Sequence, residues 1–419
     1  MALLADVNPI AQRILMGNAF SALGSGLTLP FLVIYLGEVR GLGVATGGLI
    51  VAYIAVVSLV ATAPVGALVD RVGPRPVMMV ALVVTGIGVA GLSQVDSLTL
   101  ALTVATVFAL GESGVWAPQS ALYARVTPPE HRQKIFGLQF MLLNLGLGVG
   151  GLVSALIVNV NDVGTFSTLY LLDSLTFFIY AGILLTLTGV GVGREGENLT
   201  GQDSSASLTP AHKTGYRLIA RDKAMRHLVL ASLVMLTFGY GSLEVGLPIY
   251  ATVIGNLDVS FLGLAFGVNT AVVVVSQLVV IRILRGRSRS KTAGIVGLVW
   301  ALAWLLVGIS IEFDTLVAGG LICLGVGIFA IGETMWSPVI PAIVNDLAPH
   351  NLRGRYNAVI SVTWGISGAI GPAFAGVMLG LDYPYAWVTI VVVGCLAAGA
   401  LLLRLRPLLT PQQDGMIVA

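Results

Sequence analysis

The sequence predicts an all-α membrane protein with twelve transmembrane helices in two pseudo-symmetric bundles of six. Three observations carry that prediction. Of the 419 residues, 56% are hydrophobic and only 10% charged, too little polar surface to cover a water-soluble fold of this length. Of the 22 lysines and arginines, 21 fall in alternate gaps between the long apolar runs. The other gaps hold Arg40 and a scatter of acids: Glu38, Asp96, Asp162, Asp258, Glu312, Asp314 and Asp382. Cytoplasmic loops retain Lys and Arg, so this alternation places both chain ends in the cytoplasm of a multi-pass cell-membrane protein. Finally, the second half of the chain repeats the first.

A helix needs about 20 apolar residues to cross the hydrocarbon core. On that ruler, spans 1 to 6 run near 11–37, 44–69, 75–95, 98–123, 131–158 and 166–188. Spans 7 to 12 run near 227–253, 258–284, 291–311, 315–340, 353–380 and 384–404. The runs are continuously apolar and do not alternate with a period of two, which argues against a β-barrel. Lipid gives helices no hydrophobic reason to associate, so the 52 glycines, often in small-xxx-small patterns, must supply contact by close backbone approach. The N-terminus lacks the basic region, short apolar core and small-residue cleavage site of a signal peptide, so span 1 is expected to remain.

One long polar stretch divides six spans from six. It carries Gly191, Gly193, Glu195, Glu197 and several serines, then Lys213, Arg217, Arg221, Lys223 and Arg226. This reads as a flexible cytoplasmic linker with a basic surface segment. The sequon Asn198-Leu199-Thr200 falls within it, on the side where glycosylation does not occur. The predicted organisation is therefore an N-terminal bundle (1–188), a linker (189–226), a C-terminal bundle (227–404) and a cytoplasmic tail (405–419).

Self-comparison locates the repeat. Glu112-Ser113-Gly114-Val115-Trp116-Ala117-Pro118 in span 4 is echoed by Glu333-Thr334-Met335-Trp336-Ser337-Pro338 in span 10. Pro128, Arg132, Lys134 and Gly150 correspond to Pro349, Arg353, Arg355 and Gly371 at a constant offset of 221. Pro30 and Pro248 sit in similar settings in spans 1 and 7. Equivalents six helices apart mean two parallel repeats, an arrangement in which transporters bind substrate between the halves near the bilayer midplane.

The loop between spans 2 and 3 reads Gly66-Ala67-Leu68-Val69-Asp70-Arg71-Val72-Gly73-Pro74-Arg75, matching G-x-x-x-D-R-x-G-x-R. With the 6+6 spans, the central polar loop and the repeat, the whole chain resembles the major facilitator superfamily of transporters. The resemblance implies a conformational latch built on Gly66, Asp70, Arg71, Gly73 and Arg75. In it Asp70 meets the start of span 11, a helix N-terminus with neighbouring bases. Gly66 would permit tight packing there, and Gly73 the sharp turn. The matching loop of the second half, Arg282 to Lys291, keeps bases but has no Asp, so the latch is expected to be asymmetric.

Gly137, Gly146 and Gly150 in span 5 keep the spacing G-x8-G-x3-G associated with the drug/proton antiporter branch of that superfamily. Gly151, Ser154 and Ala155 replace the rest of the pattern, whereas Gly371, Pro372 and Gly376 retain more of it in the second half. The same glycines would also serve simply to pack two helices. The arginine that many of these antiporters carry in span 4 is Val107 here, so their coupling scheme does not transfer.

An ionisable side chain inside a span is a functional candidate by default. Glu112, Asp173, Glu244 and Glu333 qualify, and no base lies deep in any span. An acid that faces two aqueous compartments in turn can carry a proton. It can equally be the counter-charge of a cationic substrate, and competition for it would couple the two fluxes. In the resembled family, spans 1, 4, 7 and 10 line the central cavity, which favours Glu112, Glu244 and Glu333. Asp173 begins span 6 near the external surface and reads better as a structural hydrogen-bonding residue. Glu112 and Glu333 have a structural alternative too, bonding the backbone or the indoles of Trp116 and Trp336.

The expected lining comprises Asn18, Ser21, Ser25, Thr28 and Tyr35 on span 1 and Trp116 and Gln119 on span 4. Tyr240 and Tyr250 on span 7 and Trp336 on span 10 complete it. Aromatic faces with a carboxylate suit lipophilic cations, and the same aromatics could be packing residues or interfacial anchors. Anionic substrates lack a cavity base, and sugars lack enough polar partners. The expected function is proton-coupled export of an amphipathic, cationic small molecule by alternating access. The alternative is an importer or facilitator of a neutral metabolite. The expected partners are substrate, protons and membrane lipid, with a monomeric protein and no nucleic acid. No cofactor or enzymatic activity is expected, and no phosphate loop is present to drive an ATP pump. Cys323 and Cys395 sit in apolar runs as small hydrophobes, and no Cys or His spacing suggests a metal.

Overall fold

The computed structural model of the protein describes residues 7–159, 162–191, 215–258 and 260–416. Twelve helices among them are long and apolar enough to cross a membrane. They run Pro9–Val39, Thr46–Val72, Pro74–Leu92, Leu98–Val126, Pro129–Ile157 and Val163–Leu185 in the first half. In the second half they run Lys223–Ile254, Phe261–Leu284, Arg289–Glu312, Thr315–Leu347, His350–Gly380 and Pro384–Leu408. These are spans 1 to 12, all foreseen in place; span 10 extends seven residues past its expected end. Most of the linker, with the sequon and the basic residue Lys213, lies outside the described residues.

Simple rules set many helix starts. Spans 3, 5 and 12 begin at Pro74, Pro129 and Pro384, where a missing N–H costs nothing. Acids in the base-poor gaps act locally on helix ends. The side chains of Asp162 and Asp314 accept backbone N–H bonds from Gly164 at 2.8 Å and Leu316 at 3.1 Å. Span 4 is not one helix but two, Leu98–Glu112 and Trp116–Val126, broken directly after Glu112. Pro118 lies just beyond, and its missing N–H leaves the carbonyl four residues earlier without a helical donor. Span 7 contains three wide, π-helical turns, Leu236–Tyr240, Ser242–Gly246 and Tyr250–Ile254. Such turns push side chains out of regular register.

The chain folds into two compact units. Unit 1 is Met1–Gly215 with Ala348–Ser361, and unit 2 is Tyr216–Leu347 with Val362–Ala419. The first turns of span 11 thus belong with the first half, unlike the sequence division at the linker. In unit 1, span 1 packs on spans 5 and 6, span 3 on spans 4 and 6, and span 2 on span 4. In unit 2, spans 9 and 10, 9 and 12, 8 and 10, and 7 and 12 repeat that scheme.

Small residues make these approaches possible. A methyl added at Gly146 would lie 2.7 Å from the Ala22 side chain, and one at Gly150 2.9 Å from Gly26. A methyl at Gly371, the repeat equivalent of Gly150, would lie 2.6 Å from Gly241. Gly376 is a correction to the predicted packing motif, because a methyl there would meet nothing within 4 Å.

The segment expected to be a cytoplasmic tail is part of unit 2. Asp414, only 1% exposed, accepts from the backbone of Ser290 at 2.7 Å and the hydroxyl of Ser288 at 2.6 Å. It thereby caps span 9. Arg289, also buried, pairs with Asp346 at 2.5 Å and donates to the Gln413 carbonyl at 3.1 Å. The acid that the loop between spans 8 and 9 lacks in sequence is therefore delivered from elsewhere in the chain. Leaving a buried donor without its acceptor costs about 1–3 kcal/mol, and Asp414 serves both the Ser290 N–H and the Ser288 hydroxyl. Asp414→Ala is accordingly expected to lower thermal stability in detergent markedly, and an unchanged melting curve would refute this role.

Candidate functional site

The span 2–3 loop is built as a cap on span 11. Gly73 adopts φ of 101°, which only glycine takes without strain, and so turns the chain between spans 2 and 3. Asp70 accepts from the backbone N–H of Gly354 at 2.7 Å and of Arg355 at 3.4 Å. It also forms an ion pair with the Arg355 guanidinium at 3.2 Å, both side chains 5% exposed. A methyl on Gly354 would lie 2.5 Å from the Gly66 carbonyl oxygen, so the close approach needs glycine on the span 11 side. Two expected latch residues do something else. Arg75 donates to the carbonyls of Leu184 at 2.7 Å and Leu185 at 2.9 Å, closing the end of span 6. Arg71 is exposed.

The four acids divide into three settings. Glu333 is buried in unit 2, accepting from the hydroxyl of Tyr240 on one oxygen and from Asn269 at 2.5 Å on the other. Tyr240 is itself ringed by aromatics: Trp364 at 4.9 Å, Phe329 at 5.7 Å and Trp300 at 5.8 Å between centroids. Trp336 packs on Trp300 at 6.0 Å and is nearly buried. Glu333 of span 10 is thus held by Tyr240 of span 7 and Asn269 of span 8, and rings from spans 9, 10 and 11 pack around Tyr240. The indole of Trp336 is not the partner of Glu333.

Glu112 and Asp173 share the second setting. Both line a cavity of about 180 Å³ in unit 1 with Ser25, Thr28 and Tyr170. Thr28 donates to Asp173 at 2.6 Å. Asp173 does not lie near the end of span 6, as expected; it is ten residues past Val163, roughly 15 Å at 1.5 Å per residue, and 2% exposed. Glu244 occupies a third setting, exposed on the middle wide turn of span 7.

Several predicted lining residues are packed away instead. Tyr35 and Tyr250 are fully buried, and their hydroxyls donate to the carbonyls of Leu92 at 2.7 Å and Gly308 at 2.6 Å. These are equivalent bonds in the two repeats, from spans 1 and 7 to the ends of spans 3 and 9. Gln119 and Asn18 are locked in a buried network: Gln119 donates to Asn18 at 3.0 Å and Tyr180 at 2.7 Å, and accepts from Gln139 at 2.7 Å. These bonds tie spans 1, 4, 5 and 6 together, while the Asn18 Nδ2 has no hydrogen-bond partner among the described residues. Ser21 and Ser25 are half-buried, and Trp116 is 47% exposed.

Asn269, Gln139, Trp300, Trp364 and Gly354 escaped the sequence reading. Asn269 and Gln139 had a usable signal, being amides inside apolar spans. The tryptophans had none, since an indole in a membrane helix is equally an anchor or a packing residue.

Comparison with known proteins agrees with this architecture. The family model described as Major Facilitator Superfamily matches residues 14–337 and 288–416. The uncharacterized MFS-type transporter YqjV of Bacillus subtilis is 23% identical over 380 residues, covering 90% of this chain and 88% of its own. A Na(+), Li(+), K(+)/H(+) antiporter of Planococcus maritimus is 24% identical over 390 residues, covering 88% of this chain and 89% of its own. Among solved structures, a bacterial homologue of the iron transporter ferroportin superposes with a TM-score of 0.79 at 13% identity, covering 96% of this chain and 100% of that one. The chain belongs to the major facilitator superfamily: it is a multi-pass membrane protein, not an enzyme, and it works by secondary transport of small molecules.

Proposed function

We propose that this transporter exchanges protons for an amphipathic organic cation and moves the cation out of the cell. One observation carries the reading: the Glu333 carboxyl is buried, its two oxygens are held by the Tyr240 hydroxyl and the Asn269 amide, and the Tyr240 ring itself packs among Trp300, Phe329 and Trp364. Aromatic faces beside a carboxylate attract a desolvated cation by about 2 kcal/mol or more per favourable ring. A proton and a cation cannot both satisfy one carboxylate, so their competition couples the two flows. Glu112, Asp173 and Glu244 are the further carboxyls able to take part. The relative from Planococcus maritimus is named for exchange of cations with protons, which supports the exchange half of the reading.

Orientation follows the basic loops, with both chain ends in the cytoplasm and the protein a monomer in the cell membrane. The test uses purified protein in liposomes with an imposed pH gradient and a fluorescent lipophilic cation. Uptake into vesicles that are acidic inside, dissipated by a protonophore, is expected. Movement that ignores the pH gradient would overturn proton exchange. A preference for a neutral metabolite would instead favour the importer or facilitator reading.

A further inference from the structure

Spans 1, 3, 4 and 6 enclose the unit 1 cavity of about 180 Å³. At roughly 30 Å³ per water, it has room for a small ion and several waters. Leu29, Leu32, Val89 and Leu92 supply apolar wall. The polar side chains lining it, Ser25, Thr28, Glu112, Tyr170 and Asp173, offer oxygen atoms and no nitrogen.

That oxygen set is incompletely satisfied. Asp173 accepts from Thr28 on one carboxyl oxygen, and its other oxygen has no hydrogen-bond partner among the described residues. The Tyr170 hydroxyl, on a residue also 2% exposed, has none either. Glu112 lies within electrostatic range of Asp173, and Asp173 within range of Tyr170. Orphaned buried oxygens beside a second carboxyl group cost free energy unless something positive completes them. No lysine, arginine or histidine lines the cavity to do so.

We propose that this cavity binds an alkali-metal cation, held by the carboxyl groups of Glu112 and Asp173 with the hydroxyls of Thr28 and Ser25. Hard cations take carboxylate and hydroxyl oxygen as ligands. The lining offers no nitrogen or sulfur ligand, so a soft or borderline transition metal is a poor fit. The site lies wholly inside one six-helix half. It goes beyond the organic-cation reading and does not depend on it.

A proton competes for the same carboxyls. The titratable groups facing them are Glu112 from span 4, Tyr170 from span 6 and, with its ring tilted against Tyr170 at 4.7 Å between centroids, Tyr35 from span 1. Span 3 contributes only apolar side chains to the lining. Arg40 is engaged with the Tyr35 hydroxyl and the carbonyl of Ser93.

The test is equilibrium binding of radioactive sodium to the purified full-length protein in detergent at pH 8, with choline chloride keeping ionic strength constant. Saturable binding of one ion per chain is expected, displaced by unlabelled lithium or potassium and weakened as pH falls. Asp173→Asn is expected to abolish binding, and Glu112→Gln to weaken it at least tenfold. Absence of saturable binding to the parent protein would overturn the proposal. Because Asp173 is buried and its variant can misfold, the half-buried Glu112 gives a second decision: unchanged affinity in folded Glu112→Gln also overturns it. Binding is read without transport, so loss of organic-cation movement in Glu333→Gln with sodium binding intact would separate the two readings.

Discussion

Replacing Glu333 with glutamine is expected to abolish pH-driven movement of a lipophilic cation while leaving folding and membrane insertion intact. Glutamine keeps the size of the side chain, and its amide oxygen can still accept from Tyr240. What disappears is the ability to exchange a proton for a positive charge. A charge-assisted bond contributes about 1.5–3 kcal/mol, so affinity for the cation should fall between about tenfold and a hundredfold. Uphill flux should fall further, because the variant has no proton to release. Glu333→Asp keeps the charge but withdraws it by one methylene from Tyr240 and Asn269, and an intermediate rate is expected. Tyr240→Phe keeps the ring contacts with Trp300, Phe329 and Trp364 and removes only the hydroxyl donor. Its effect should be smaller than that of Glu333→Gln. Parent-level uphill transport by Glu333→Gln would remove Glu333 from the mechanism.

The second large effect is expected at Asp70. Its carboxylate caps the first turn of span 11 and pairs with Arg355, within unit 1. Asp70→Asn can still accept from the Gly354 N–H but leaves the nearly buried Arg355 guanidinium without that counter-charge. Breaking a buried pair from one side costs about 3–5 kcal/mol. Even the low end would shift the latched population by more than a hundredfold. Transport driven by a pH gradient should therefore drop at least tenfold, with substrate affinity far less affected, since Asp70 lies in neither acid cluster. Gly354→Val tests the same contact by sterics, because any added methyl lies 2.5 Å from the Gly66 carbonyl. Parent-like turnover in both variants would show that the cap is merely local structure.

The membrane fold was legible because bilayer physics writes it directly into sequence. Twelve runs of sufficient length and greasiness can only be helices, and their gaps sorted bases from acids. The repeat pairing Glu112 with Glu333 was legible as well. It did not disclose that these equivalents live differently: Glu333 is clasped by Tyr240 and Asn269, while Glu112 shares a cavity with Asp173. The aromatic and amide residues expected to line an opening were the weakest reading. Tyr35, Tyr250, Asn18 and Gln119 are buried, and each is hydrogen-bonded within its own bundle.

Sequence by itself determined the class of fold and the helix count. Each of these follows from the cost of putting a particular residue into hydrocarbon, a property of the residue and its near neighbours. Tertiary structure decided which acids keep company. It brought Asn269 to Glu333, Thr28 to Asp173 and Asp414 to the start of span 9. Such partnerships join residues dozens to hundreds of positions apart, and no local rule of composition or period encodes a contact between helices that only packing brings together.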